Sequence, residues 1–474
     1  MWMMVPFILN VLLNFVVSLL VAKFLGPAEY GRFVLALSAA VTLQVLLFDW
    51  LRLATIRFYS ERDRLERPQI RATLDAGFGV LATLAALAAL VVYVLQIDLV
   101  FSADLMALAI GVSLTNGLFE FASALMRARF LDKAYGGLVV AKNVLAFLLT
   151  VGGAVLFGSA KIALVGMMLS VAGSLCVARR QLIDANASIR RAERTLAARL
   201  LAYGLPIVIA TLLYQTVPLM NRAIVARTHG FAEAGQLSLA FEIGVRIVGA
   251  IGSGLDVILF QIALLAEKSA GADGARAQIS RNIGVVFAVV LPTVLGCWLI
   301  LPSFEKQFVP ENFRGPFAHY FELSLPALLA FALMNFALNP AFQIAHRLAP
   351  LIVAALVACV ANLLGALFLP ETADATKYAI AQSLSSCAGL LALVVMMFTL
   401  DHMWPKARDM VGTLAASAIM IGAGLPLRAL APGALTLVSQ IAAGARVYGA
   451  CVYAFDVAAV RSVIAPRIAA RLKR

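Results

Sequence analysis

Fourteen apolar runs follow one another along the 474 residues, separated by short polar segments. A bilayer's hydrocarbon core is crossed by about 20 residues of helix. No run alternates in the way a barrel strand must. The runs lie at about 5–24, 33–56, 74–96, 104–126, 137–157, 161–178, 203–226, 236–265, 283–301, 319–341, 350–369, 378–400, 410–427 and 434–457. The sequence therefore predicts an all-α polytopic membrane protein. Composition agrees: 62% of residues are hydrophobic and 13% charged, against roughly 45–50% and 25% in a soluble domain. The chain enters apolar sequence at Val5, with neither a basic segment before it nor a small-residue cleavage site, so an uncleaved first span is expected.

The function classes excluded are as informative. Nucleophile-elbow, phosphate-loop and zinc-protease motifs are absent. Five cysteines and four histidines are scattered without ligand spacing. No metal, cofactor or enzymatic activity is expected. The net charge of +13 would suggest nucleic acid in a soluble protein; in a membrane protein its distribution sets orientation. With an inside N-terminus, 25 of the 38 Lys and Arg fall in inner loops and at the C-terminal end, 8 in outer loops and 5 within spans. That bias predicts both termini in the cytoplasm. The basic segment 179–200 is read either as an ordinary inner loop or as a short amphipathic helix, in which Arg190, Arg191, Arg194 and Arg199 interleave with Ile189, Leu196 and Leu200.

One motif recurs. Gly26-Pro27-Ala28-Glu29-Tyr30-Gly31 and Gly230-Phe231-Ala232-Glu233-Ala234-Gly235 agree at four of six positions, 204 residues apart. Each copy lies between an odd and an even span, on the predicted outer side, so the two halves share one orientation. Gly26 and Gly31 are expected to bracket a tight turn, and Glu29 and Glu233 to favour the N-terminus of the helix that follows each.

The stretch from Ala22 to Gly31, the later Ile56-Arg57-Phe58-Tyr59-Ser60-Glu61, and in the second half Tyr203-Gly204-Leu205-Pro206, Asn221-Arg222 and the repeated hairpin resemble the bacterial polysaccharide biosynthesis proteins. These are lipid-linked oligosaccharide flippases of the multidrug/oligosaccharidyl-lipid/polysaccharide exporter superfamily. The resemblance implies two pseudo-symmetric six-helix lobes, 1–200 and 201–400, with two additional helices and a basic tail in 401–474. It implies alternating access in the bacterial inner membrane, moving undecaprenyl-pyrophosphate-linked oligosaccharide repeat units from the cytoplasmic to the periplasmic leaflet for exopolysaccharide or lipopolysaccharide synthesis. The bilayer, the lipid-linked oligosaccharide, a polymerase and chain-length machinery would be its partners. A cation-coupled multidrug exporter of the same superfamily is the alternative. It is disfavoured because the first span offers Asn10 and Asn14 where drug exporters often carry an aspartate.

A charged side chain deep in a span costs about 2.5–3.5 kcal/mol to insert, so each one needs a partner or a wet cavity. The candidates for contacting the cargo's phosphates are Arg52, Lys142, Arg222 and Arg246. Arg52 has Asp49 three residues before it, Arg246 has Glu242 four before it, and Arg222 and Lys142 are placed where they can also snorkel. Glu120, Glu242 and Asp256 are the candidate ion-coupling carboxylates. Gly249, Gly252 and Gly254 are expected to let the eighth span bend. Arg446, in the fourteenth span, lies outside the twelve-helix core implied by the resemblance and is read as structural.

Overall fold

The protein is described by a computed structural model covering residues 4–457, apart from 99, 185–186, 346, 348 and 400–402. The basic tail beyond 457 lies outside the described residues. With no water in the hydrocarbon to satisfy a peptide group, each apolar run closes its hydrogen bonds within itself as helix. Thirteen helices among the described residues are long and apolar enough to cross a membrane. The first, Met4–Phe58, is broken at Gly26 (φ 70°, ψ 172°), a left-handed conformation that favours glycine. It therefore supplies two spans, α1 (4–25) and α2 (27–58). The others are α3 Pro68–Val94, α4 Ala103–Ala128, α5 Asp132–Phe157, α6 Ala160–Val177, α7 Arg194–Thr228, α8 Phe231–Gly271, α9 Asp273–Phe308, α10 Pro316–Ile344, α11 Ala349–Phe368, α12 Thr376–Met397, α13 Ala407–Arg428 and α14 Ala434–Phe455. Every predicted span has its helix.

Of the two readings of the basic segment, one falls away. The segment 189–200 is no separate surface helix: Ile189–Arg191 makes one 3-10 turn, and from Arg194 the chain already belongs to α7. α8 keeps helical dihedrals through Gly249, Gly252 and Gly254 and ends its run at Gly271 (φ 66°). Gly252 makes room for Phe336 of α10, whose ring would lie 2.0 Å from a Cβ there.

The chain divides into two compact units, one made of the residues up to Ser238 with Ala373–Ala375, the other of Leu239–Thr372 and the chain from Thr376 onward. In the first unit α2 packs on α4 and α7 around Phe48, Leu51, Leu74, Phe121, Leu125 and Leu200. The approach is close because Gly117 and Gly204 lack side chains: a Cβ would meet the Phe48 ring at 2.6 Å and Trp50 at 2.8 Å. In the second unit α11 packs on α12 and α12 on α10, stitched by Ser385 donating to the Ala358 carbonyl (2.7 Å) and Ser383 to that of Leu323 (2.5 Å). The outward faces are greasy. On α3, Val80, Leu84, Leu87, Leu90 and Val94 are all exposed, as side chains against lipid would be.

At the basic end of the first unit, arginines hold the α6–α7 linker. Arg64 pairs with Asp184 (2.9 Å) and Glu61 (2.7 Å), and Arg129 pairs with Glu61 (2.6 Å). Arg129 also donates to the Gln181 carbonyl, Arg71 to that of Leu182, and the Glu193 amide to Thr73 Oγ1. Arg129, chiefly, and Arg64 hold the Glu61 carboxyl below its ordinary 4.5, against the opposing effect of burial. A carboxyl lowered in the folded chain stabilises fully above its ordinary pKa and loses that effect as pH falls through the lowered one. Amide protection factors in residues 187–193, taken relative to the intrinsic exchange rate at each pH, should therefore be unchanged from pH 8 to 6 and fall below 4.5. Glu61→Gln should lower them in the range where Glu61 is ionised and make no difference once it is protonated.

Candidate functional site

The two copies of the repeated motif meet within the first unit. Gly31 lies inside α2, and a Cβ on it would fall 1.8 Å from the Phe231 carbonyl oxygen. Gly235 lies inside α8, and a Cβ there would fall 2.2 Å from the Pro27 carbonyl oxygen and 2.9 Å from the Gly31 nitrogen. Gly31 corresponds to Gly235, and Pro27 to Phe231, so the contact is reciprocal, as a two-fold relation between the copies requires. The broken turns match too: Gly26 has φ 70° and Gly230 φ 91°. Gly31 is thus not a turn residue as expected; its missing side chain permits backbone-to-backbone approach.

The glutamates also act at longer range than the sequence suggested. Glu29 Oε2 accepts from the Ala160 amide (2.8 Å) at the start of α6. Its counterpart Glu233 accepts from the Ala375 amide (3.3 Å), one residue before α12. Each copy thus uses its carboxylate to satisfy the N-terminal end of a distant span. Arg32 pairs with Glu29, and its guanidinium lies 5.0 Å over the Phe231 ring. A cavity of about 550 Å³ opens at this end, lined by Glu29, Arg32, Asp98, Phe101, Lys161 and Phe231. Its charges are satisfied locally, Lys161 by Asp104 and Asp98 by the Ala103 amide. None of the seven sequence candidates lines it.

Deeper in the first unit lie four of those seven. Arg52 chelates Asp49 through Nε (2.5 Å) and a terminal nitrogen (3.0 Å). Asp49 is 6% exposed, whereas the Arg52 side chain keeps 27%. Glu120 on α4 is within electrostatic reach of Arg52. α5 begins at Asp132, so Lys142 sits about 15 Å into the helix, with its ammonium 4.7 Å over the Phe119 ring. Arg222 is buried, 7% exposed, and donates to Ser38 Oγ on α2; the snorkelling alternative falls away. Arg52, Glu120 and Lys142 thus lie on α2, α4 and α5, while Arg222 joins α7 to α2.

The other three belong to the second unit. Glu242, Arg246 and Asp256 are half-buried on α8. Gly244, like Gly252, packs on α10, with Leu328 at 2.3 Å from a Cβ. Arg246 is two residues beyond Gly244, about 200° around the helix, and faces away from that contact. Among the described residues no group of three or more His, Cys, Asp or Glu has a metal-holding arrangement.

The sequence model for polysaccharide biosynthesis proteins matches residues 1–260. No curated protein matches. Among solved structures, the lipid II flippase MurJ in an inward closed conformation aligns over 98% of this chain and 99% of its own, with TM-score 0.75 and 12% identity. An inward-facing MATE-family multidrug resistance transporter of the MOP superfamily aligns over 83% of this chain and 95% of its own, with TM-score 0.59 and 12% identity. A Vibrio cholerae MATE transporter aligns over 85% and 97%, with TM-score 0.53 and 14% identity. At such identities the likeness is one of fold.

Proposed function

The chain belongs to the polysaccharide biosynthesis protein family, and from that premise we propose that it is a flippase. It would carry undecaprenyl-pyrophosphate-linked oligosaccharide from the cytoplasmic to the periplasmic leaflet of the inner membrane, with both termini in the cytoplasm. The observation that carries this reading is the retention of cations inside apolar spans, at Arg52, Lys142 and Arg222 on one unit and Arg246 on the other. A pyrophosphate bears at least two negative charges and cannot cross hydrocarbon unpaired. Guanidinium groups match its oxygens. Cations already engaged, as Arg52 is by Asp49, bind an incoming phosphate weakly enough to let it leave.

The fold shared with a lipid II flippase supports a lipid-linked cargo. In alternating access the meeting of the repeated hairpins is the closed outer end, and their separation opens the periplasmic side. Glu120, Glu242 and Asp256 are the carboxylates for ion coupling. A polymerase and chain-length machinery would take the delivered repeat unit. The fold shared with MATE transporters keeps multidrug export as the competing reading. Transport separates the two. In membrane vesicles carrying the chain, labelled pyrophosphate-linked glycan should change leaflet, and Arg222→Ala should slow it at least tenfold at equal protein level. Drug extrusion without glycan movement would overturn the proposal.

A further inference from the structure

The last span carries a charge on the wrong face for an isolated chain. α14 packs inward through Leu437, Gln440, Gly444 and Tyr448. Gln440 donates to the Leu427 carbonyl of α13 (3.0 Å), and the Tyr448 hydroxyl to that of Ala288 on α9. Arg446 is two residues from Gly444, about 200° around the helix, and it is exposed. Its face is otherwise apolar or small: Leu435, Val438, Ile441, Ala445, Gly449 and Tyr453 are exposed with it.

Depth makes this unusual. Arg446 lies about 18 Å from the start of the helix and 14 Å from its end. Both distances exceed the length of an extended arginine side chain. The Cα–Cβ bond also leans toward the helix N-terminus, the farther end, so snorkelling to headgroups is blocked. Among the described residues nothing pairs with Arg446, and residues 434–474 contain a single acid, Asp456 just past the helix end. Compare α3, whose exposed residues from Gly79 to Val94 include no charged side chain.

We propose that this face of α14 is a docking surface for a membrane-spanning helix of another protein, one bearing an Asp or Glu near mid-membrane that pairs with Arg446. Charge complementarity selects that occupant. A second copy meeting symmetrically through this face would set Arg446 against Arg446, since α14 itself has no Asp or Glu. Ala445 and Gly449 let a partner backbone approach closely, as small residues do between membrane helices.

The test places a photo-crosslinking amino acid at Val438 in the full chain, in membranes of its own host. The expected adduct is a peptide from a membrane-spanning segment of a different protein that contains a carboxylate. Arg446→Ala should cut its yield at least tenfold, Arg446→Lys should retain it, and Arg446→Glu should abolish it until the partner's carboxylate is changed to Arg. Arg446→Ala should leave the thermal midpoint unchanged, because nothing inside the described chain loses a partner. Adducts only with lipid or with a second copy, no adduct, a partner segment without a carboxylate, indifference to Arg446→Ala, or a lowered midpoint would each overturn the proposal.

Discussion

Gly31→Ala and Gly235→Ala should each abolish transport while leaving the protein in the membrane. The added methyl would sit 1.8 Å from the Phe231 oxygen in one case and 2.2 Å from the Pro27 oxygen in the other. Both obstacles are backbone, so no rotamer change relieves them. Overpacking costs about 1–3 kcal/mol even where side chains can yield, and the rigid carbonyls put this case near the top, about 3 kcal/mol. The cost falls only on the arrangement in which the hairpins touch. If the protein alternates between touching and parted hairpins, each variant should move that equilibrium by roughly a hundredfold toward parting. Cysteines placed at Ala28 and Ala232 would report it: disulfide trapping efficient in the parent should collapse in both variants. A parent-like trapping yield in Gly31→Ala would show that the contact is not closed in the working protein. The two variants should match each other, because the contact is reciprocal.

The physics of the bilayer is why the spans were legible. In hydrocarbon a peptide group must be paired within a helix or a closed barrel, and a run of twenty apolar residues that does not alternate leaves only the helix, so the element is fixed without any knowledge of its neighbours. Even the break at Gly26 was visible in the repeated motif. What the motif does was not. Gly31 reads locally as the far bracket of a turn, yet it is helical; only the arrival of Phe231 from 200 residues away shows why a side chain is excluded. Glu29 and Glu233 read as charges for their own helices and instead reach the starts of other segments. Of the charged candidates, the pair with a local partner was readable: Asp49 and Arg52, three apart on a helix, must meet. Arg222 depends on Ser38 in a different span, and Lys142 on the ring of Phe119, neither of which spacing encodes. The offset of 204 was the one long-range signal available. It marked the hairpins as equivalent, and equivalent elements under a two-fold relation are the ones able to meet.

The Asp49–Arg52 pair offers the sharpest separation of a structural charge from a transporting one. Asp49 is 6% exposed. Arg52→Ala would strand its carboxylate in the interior, and removing one partner of a buried pair costs about 3–5 kcal/mol. Asp49→Ala strands a guanidinium that keeps 27% exposure and lies within reach of Glu120, so its loss should be smaller. The double variant Asp49→Ala/Arg52→Ala removes both charges and should recover most of the thermal midpoint, because two small apolar residues ask nothing of their surroundings beyond the space left empty. Transport then decides the role. If Arg52 serves only to neutralise Asp49, the double variant moves glycan at the parental rate. If Arg52 also meets the cargo's phosphates, the double variant is stable and slow, and Asp49→Ala alone is slow for the opposite reason: a guanidinium released from its carboxylate grips the phosphate and delays release. A lower Kd for pyrophosphate in Asp49→Ala, with turnover falling in both variants, is the expected pattern; parental turnover in the double variant would remove Arg52 from the cargo path.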